Sequence, residues 1–215
     1  GLVGSEMCIR DRYSIVSKVV GAVPKKIKED VNFNLNIENL IDQTNDATKV
    51  IYIASPNNPT GTYLSRDQLV KLMNSISKNI IVVIDGAYVE YVQKDDYDKG
   101  FSLTDEYENI ILTRTFSKTY GLAALRVGWC YTSQKIADII NKIKPPFNTT
   151  TISQSLAIKA LEDKEHIENS VKLNSEIKDW FEKELKLLNI KTRQTEGNFT
   201  CLLYTSPSPR YHQPS

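Results

Sequence analysis

The stretch that most constrains the fold is residues 79–85 (NIIVVID), which are apolar at nearly every position. A near-continuous apolar run of this length is typical of a strand buried on both faces of a parallel sheet. Residues 49–55 and 109–114 have the same character, and 126–132 are a fourth strand candidate. Parallel neighbours need long crossover connections, which are usually helices. The sequence therefore predicts an α/β fold with three layers around a mostly parallel sheet.

Helical segments separate these apolar runs. Ser65 is followed three residues later by Gln68, which is the pattern of a capping box at a helix N-terminus. Ser133 is predicted to cap another helix, which has isoleucines at helical spacing on one side. A further helix is expected near 153–161. This alternation of strands and helices supports the mostly parallel sheet.

The chain is predicted to contain parts of two domains. Residues 13–164 hold the strand–helix alternation and are predicted to be part of a large α/β domain. Residues 165–203 are predicted to be a connecting helix and the start of a small α+β domain, with a strand at 190–203. The inward side of the long helix is predicted from its apolar residues, which are Ile167, Val171, Ile177, Trp180, Phe181, Leu185 and Leu188.

The two ends of the chain differ in composition from its middle. Every lysine lies between residues 13 and 200, whereas the end segments carry arginines and no lysine. The strings GLVGSEMCIRDR and LLYTSPSPR resemble translated sequencing-adapter sequence. Residues 1–12 and 204–215 are therefore predicted to be non-native ends, and they are excluded from the fold prediction. On this interpretation the chain is an internal fragment of a longer protein.

The overall charge excludes some classes of partner. The 27 Lys+Arg and 26 Asp+Glu give a formal net charge of +1 at pH 7, which removes the electrostatic argument for binding nucleic acid or a membrane surface. No apolar run reaches the roughly 18–20 residues that span a bilayer. Cys8, Cys130 and Cys201 are odd in number and widely separated, so no disulfide framework and no metal site are predicted. We expect a soluble, cytoplasmic protein.

Polar motifs follow the predicted strands where these end. They are residues 55–61 (SPNNPTG), 85–88 (DGAY), 115–118 (TFSK) and Arg126. Each has a simpler explanation as a turn, a helix cap, a surface lysine or an ion-paired arginine. In an open α/β sheet, however, ligands bind beyond the carboxyl ends of the strands. The four motifs in this order therefore predict one shared binding site.

These motifs, together with RTFSKTYGLAALRVG and PPFNTT, resemble the fold-type-I pyridoxal-phosphate aminotransferases, class I/II, over about residues 13–200. The resemblance implies that the large domain binds pyridoxal 5'-phosphate, the electron sink of this chemistry. Lys118 matches the lysine that forms a Schiff base with the cofactor and moves protons as general base and acid. Asp85 matches the carboxylate that keeps the pyridine nitrogen protonated.

The same resemblance assigns the remaining cofactor contacts. Tyr88 and Asn58 match the two groups that hydrogen-bond the phenolate oxygen of the cofactor ring. Thr115, Ser117 and Arg126 match its phosphate ligands, with the arginine offering a charged, bidentate grip. The resemblance implies no metal.

The sequence departs from the family pattern in two ways. Gly86 stands where members often have glutamate, although that position is not a cofactor contact in the pattern. The family's glycine-containing phosphate loop and ring-stacking aromatic should precede residue 13, and the arginine that binds the substrate carboxylate should follow residue 200. We therefore expect this chain to be inactive alone. Members are homodimers, so a homodimer is expected for the full-length protein.

Within the family, the sequence is most similar to enzymes that transfer the amino group of L-histidinol phosphate to 2-oxoglutarate in histidine biosynthesis. The products are imidazole acetol phosphate and L-glutamate. Three alternatives remain open: an aromatic or broad-specificity aminotransferase, a pyridoxal-phosphate decarboxylase of the same fold, and a non-catalytic cofactor-binding fragment. A doubly wound nucleotide-binding domain is disfavoured because the sequence contains no GxGxxG motif.

Overall fold

The computed structural model describes residues 2–5 and 12–203, and its main feature is a six-stranded sheet in the order β2-β1-β3-β4-β5-β6. The strands are β1 Leu2–Ser5, β2 Pro24–Ile27, β3 Val50–Ala54, β4 Ile81–Asp85, β5 Ile110–Thr115 and β6 Gly128–Thr132. All neighbours pair in parallel except β5 and β6, which are antiparallel. The α/β class is confirmed, and β6 is an antiparallel edge strand of a kind common on such sheets.

Helices connect the strands of the sheet. They are α1 Arg12–Val19, α2 Ile37–Asp42, α3 Arg66–Ser75, α4 Phe101–Glu106, α5 Gln134–Ile143, α6 Thr151–Glu162 and α7 Lys164–Leu187, with short 3-10 helices at Val89–Tyr91 and Ala123–Leu125. Helix α3 begins as predicted, because the side chains of Ser65 and Gln68 each accept a hydrogen bond from the other residue's backbone N–H. Such a cap is worth about 1 kcal/mol.

The main core lies between the sheet and helices α2, α3 and α4. Ile51, Val82 and Leu112 from three adjacent strands are fully shielded from solvent, as is Leu72 of α3. Full burial of such a side chain stabilises the fold by about 1.5–3 kcal/mol. Because the three strands are locked into this core, their carboxyl ends form a fixed edge. The polar residues that follow them start from defined positions.

The apolar sides of α5 and α7 are exposed, which for α7 is contrary to prediction. No residue of α5 is buried, and Ile139 is 52% exposed. Of the predicted inward residues of α7, only Leu185 is buried, and Trp180 is 59% exposed. Helical periodicity identifies the apolar side of a helix but not whether another part of the chain covers it. Ser133 does precede α5, but its hydroxyl donates to the carbonyl of Glu108 rather than capping the helix.

The segments at the two ends differ from expectation in detail. Residues 190–203 form two short antiparallel strands, β7 Thr192–Arg193 and β8 Cys201–Leu202, rather than one. Strand β1 belongs to the segment predicted to be a non-native end, and it pairs with both β2 and β3. Residues 1, 6–11 and 204–215 lie outside the described residues, and the domain boundaries stay predictions. No helix in the described part of the chain is long and apolar enough to cross a membrane.

Candidate active site

The carboxyl ends of three parallel strands bring the polar motifs to one edge of the sheet. Ala54 at the end of β3 pairs with Asp85 at the end of β4, and Asp85 pairs with Thr113 of β5. Asn58 lies in the loop that follows β3, and Thr115 is the last residue of β5. Because β3, β4 and β5 are adjacent in that order, the motifs that follow them lie side by side along this edge.

One group of side chains is built around Tyr88, which is buried just before the 3-10 helix Val89–Tyr91. Asn58 Nδ2 donates a hydrogen bond to the Tyr88 hydroxyl at 3.0 Å. The Lys118 amine lies over the Tyr88 ring, 5.3 Å from its centroid. The ring of Phe199 packs edge-on against the same ring, with centroids 5.2 Å apart. The Tyr88 ring therefore lies in contact with a cation and an aromatic edge, both favourable partners.

The Asp85 carboxylate accepts hydrogen bonds from two residues that the sequence analysis did not identify. Thr113 Oγ1 donates to Oδ1 at 3.3 Å, and the Tyr13 hydroxyl donates to Oδ2. The Tyr13 ring stacks on Tyr52, with centroids 4.8 Å apart and planes at 11°. Strand alternation could have indicated Thr113, because it shares a face with Thr115. No local signal indicates Tyr13, which lies 72 positions from Asp85.

A second group of side chains lies just beyond β5. The backbone N–H of Ser117 donates to Thr115 Oγ1 at 3.1 Å. Arg126 Nη1 donates to the carbonyl of Ala123 at 2.8 Å and approaches Ser117 Oγ at 3.4 Å. Arg126 has a φ of 50°, in the left-handed region that disfavours non-glycine residues. A strained residue that holds an exposed guanidinium beside the Ser117 hydroxyl is well suited to an anion site.

Buried polar groups lie behind these side chains. Arg114 is only 6% exposed and donates to the carbonyls of Thr113, at 2.8 Å, and Lys99. Burial lowers the pKa of Arg114. Burial also raises the pKa of Glu90, and the positive charge of Arg114 opposes that rise. Burial raises the pKa of Tyr120 to about 12, with a further contribution from Glu90, which accepts its hydroxyl hydrogen bond.

The absence of a side chain at Gly86 allows Arg114 to approach the sheet edge. A Cβ atom at residue 86 would clash with the Arg114 guanidinium and would lie 2.5 Å from Val89 Cγ1. Arg114 therefore packs directly against the backbone next to Asp85. A glutamate at this position would require Arg114 to move, so the departure from the family pattern is coupled to the placement of Arg114.

The side chains gathered at this edge match the functional groups of pyridoxal 5'-phosphate. A carboxylate suits the pyridine nitrogen, an amide and a phenol suit the ring oxygen, hydroxyls with an arginine suit the phosphate, and a lysine amine suits the aldehyde. The residues of this donor set are Asp85, Asn58, Tyr88, Thr115, Ser117, Arg126 and Lys118. The chemistry of the donor set therefore fits the cofactor. Within residues 2–5 and 12–203, no cluster of His, Cys, Asp or Glu could hold a metal ion.

Two wide cavities lie elsewhere on the molecule. One, of about 710 Å³, is lined by residues that include Asp30, Gly61 and Arg193. The other, of about 780 Å³, lies along the end of α7 and includes Glu182. Neither is lined by any residue of the donor set. The complementary chemistry of the donor set, rather than cavity size, therefore identifies the candidate site.

The fold and the donor set define a fold-type-I aminotransferase, and solved structures share the fold. Histidinol-phosphate aminotransferase from Sinorhizobium meliloti, in complex with pyridoxal-5'-phosphate, has a TM-score of 0.85 at 22% identity, covering 93% of this chain and 54% of that one. Aspartate aminotransferase from Thermotoga maritima has a TM-score of 0.84 at 26% identity, covering 95% and 55%. The sequence matches the aminotransferase class I and II family over residues 12–212, and the chain belongs to that family.

Curated relatives show which members of the family the chain resembles. The chain is 40% identical over 195 residues to histidinol-phosphate aminotransferase from Zymomonas mobilis, covering 89% of this chain and 53% of the relative. It is 43% identical over 190 residues to the enzyme of the same name from Pelagibacter ubique, covering 88% and 52%. The chain spans about half the length of the curated relatives it matches.

Proposed function

We propose that the full-length protein transfers the amino group of L-histidinol phosphate to 2-oxoglutarate, giving imidazole acetol phosphate and L-glutamate, with pyridoxal 5'-phosphate as cofactor. The substrate part is supported by the two relatives of that name at 40% and 43% identity. The observation that carries the cofactor part is the Lys118 amine over the Tyr88 ring, whose hydroxyl binds Asn58. When bound, pyridoxal phosphate supplies an electron sink for the carbanion formed at the substrate α-carbon.

Each residue at the sheet edge has a separate role in this proposed reaction. Lys118 Nζ is the attachment point for the cofactor aldehyde, and it removes and returns the proton at the substrate α-carbon. Asp85 holds a proton on the pyridine nitrogen through its negative charge. Tyr88 and Asn58 donate to the ring oxygen, which favours its anionic form.

Three residues beyond β5 anchor the other end of the cofactor. The hydroxyls of Thr115 and Ser117 and the guanidinium of Arg126 bind its phosphate. Arg126 supplies the positive charge of this group, and its guanidinium lies 3.4 Å from the Ser117 hydroxyl. Together these three residues would hold the cofactor at its phosphate end.

The proposal extends to the assembly and setting of the full-length protein. We place it in the cytoplasm as a homodimer that acts on small molecules, without nucleic-acid or membrane partners. The balanced charge supports the last part. We also propose that the 215-residue chain does not turn over substrate by itself, because it matches only 53% of the Zymomonas mobilis relative.

The cofactor assignment is tested by trapping. The 215-residue chain is incubated with pyridoxal phosphate, reduced with borohydride and digested, and the labelled peptides are identified by mass. We expect the label to concentrate on Lys118 and to disappear in Lys118→Arg. The control is Lys71→Arg, which removes a half-exposed lysine paired with Glu38 and should leave the label unchanged. A folded chain, shown by circular dichroism, that labels its lysines evenly would overturn the assignment.

The substrate assignment needs a turnover measurement. With L-histidinol phosphate and 2-oxoglutarate, we expect the 215-residue chain to form no L-glutamate and the full-length protein to form it. Full-length protein that labels at Lys118 but prefers an aromatic amino acid, or releases carbon dioxide, would overturn the substrate while leaving the cofactor assignment intact.

A further inference from the structure

Thr119, the residue after Lys118, is hydrogen-bonded to side chains from two other elements. Thr119 is buried, only 2% exposed. Its hydroxyl donates to Glu90 Oε2 at 3.5 Å, and its backbone carbonyl lies 3.1 Å from His166 Nε2. A buried side chain and a backbone carbonyl of one loop residue are thus each engaged by a side chain from another element.

The two partners come from different parts of the fold. Glu90 lies in the 3-10 helix that follows Tyr88, and it also accepts a hydrogen bond from Tyr120. His166 lies in the first turn of α7, where Asp163 caps its backbone N–H. The loop that carries Lys118 is therefore tied on one side to the segment of Tyr88 and on the other to the long helix.

Hydrogen bonds within the loop do not provide this orientation. The N–H of Gly121 donates to the carbonyl of Lys118 at 2.9 Å, and the N–H of Leu122 donates to the carbonyl of Phe116 at 2.9 Å. These bonds shape the loop internally, and buried Phe116, on the N-terminal side of Lys118, packs against Val127 and Ala157. On the C-terminal side of Lys118, the contacts to Glu90 and His166 tie Thr119 itself to two other elements.

We propose that Glu90 and His166 are positioning residues that hold Thr119 and so fix the point from which the Lys118 side chain reaches the cofactor. The inference rests on the proposed function of Lys118. Lysine has a flexible four-carbon stem, so a tilt at its Cα displaces the amine widely. A misplacement of about 1 Å at a reacting group can reduce its reaction rate about 100-fold. A loop anchored beside Lys118 confines that movement to the side chain.

Paired variants separate this role from general stability. Thr119→Val keeps the volume but removes the donor to Glu90, whereas Thr119→Ser keeps the donor. His166→Leu removes the contact to the Thr119 carbonyl, whereas His166→Gln keeps an N–H that can donate to it. Thr104→Val is the control, because it removes a hydroxyl that bonds within α4.

The readout is the ratio of borohydride-trapped label on Lys118 to label on all other lysines, at limiting pyridoxal phosphate. Because reactivity depends steeply on placement, we expect this ratio to fall about 10-fold in Thr119→Val and His166→Leu. The serine and glutamine variants should stay within about twofold of the wild-type ratio, as should Thr104→Val. Rescue by the conservative variants is a result that a purely structural role does not require.

The outcomes distinguish failure of the proposed function of Lys118 from failure of the positioning role alone. Absence of specific label on wild-type Lys118 would overturn the proposed function. Wild-type labelling that is unchanged in Thr119→Val and His166→Leu would overturn the positioning role alone. If circular dichroism shows that Thr119→Val does not fold, the two His166 variants decide, because that residue is exposed on α7. Equal losses in His166→Leu and His166→Gln would then contradict the proposal.

Discussion

A close approach of two backbone segments at Gly61 yields the most specific stability prediction. Gly61 has a φ of 68°, and a Cβ there would clash with the Cα and Cβ of Thr195 and lie 2.6 Å from its Cγ2. Ordinary carbon–carbon contact requires about 3.5–4.0 Å, so the two segments would have to separate by about 1 Å. Thr195 is fully buried, and the N–H of Glu196 donates to the Gly61 carbonyl at 2.9 Å. The substitution Gly61→Ala therefore strains the backbone and forces the segments apart.

The expected cost has two parts that a second glycine can separate. An alanine in the left-handed region costs about 1–2 kcal/mol, and forcing extra volume into a packed contact costs about 1–3 kcal/mol more. Gly21 has a similar φ of 74°, but a Cβ there would meet nothing within 4 Å. Gly21→Ala should therefore lose only the conformational part, about 1–2 kcal/mol of the free energy of unfolding. Gly61→Ala should lose about 2–5 kcal/mol.

The measurement is urea unfolding of both variants and wild type, followed by far-ultraviolet circular dichroism and by tryptophan fluorescence. The difference between the two variants isolates the contact between residue 61 and Thr195. Equal losses of stability in Gly61→Ala and Gly21→Ala would refute the reasoning, because they would mean that the close approach contributes nothing.

Three further outcomes follow from individual contacts. Tyr13→Phe keeps the aromatic stack but removes the donor to Asp85, so the free energy of unfolding should fall by about 1–3 kcal/mol in urea; an unchanged value would contradict that hydrogen bond. Burial raises the pKa of Glu90, so the folded chain binds its proton more tightly than the unfolded chain does, and stability should fall as pH rises from about 4.5 through the raised value. Glu90→Gln should flatten that fall in Tm measured against pH. Cys130 is exposed whereas burial raises the pKa of the half-buried Cys201, so iodoacetamide should alkylate Cys130 before Cys201 in a mass-mapped time course.

Elements with strong local signals were predicted well from the sequence. The apolar run at 79–85 gave β4 because a strand buried on both faces needs no polar alternation. The shorter apolar run within 109–114 gave β5, whose residues are buried alternately. Ser65 and Gln68 gave the start of α3 because a capping box is a local interaction. The convergence of the motifs followed from the general geometry of parallel sheets.

Features that depend on tertiary neighbours were not predicted. The apolar residues of α7 were expected to face inward, yet Trp180 is exposed, because periodicity does not reveal what covers a helix. The hydrogen bond from Tyr13 to Asp85 joins residues far apart in sequence, and neither carries a local sign of the other. The contact of Arg114 with Gly86 depends equally on a side chain from a neighbouring strand.

The proposed chemistry needs one side chain to stay fixed, Asp85, and another to move, Lys118. Asp85 belongs to β4, where the ladder to β5 fixes its backbone and the hydroxyls of Thr113 and Tyr13 hold its carboxylate, as a counter-charge to a ring nitrogen requires. Lys118 must do the opposite, since an amine that removes a proton at one carbon and delivers it to another has to move. If the whole loop moved, the Lys118 amine would leave its place over the Tyr88 ring; if only the side chain moves, the backbone of Lys118 keeps its position. Anchoring Thr119 while leaving the lysine stem free meets both requirements, and for this reason we expect the neighbour of the lysine, rather than the lysine itself, to carry the restraining contacts.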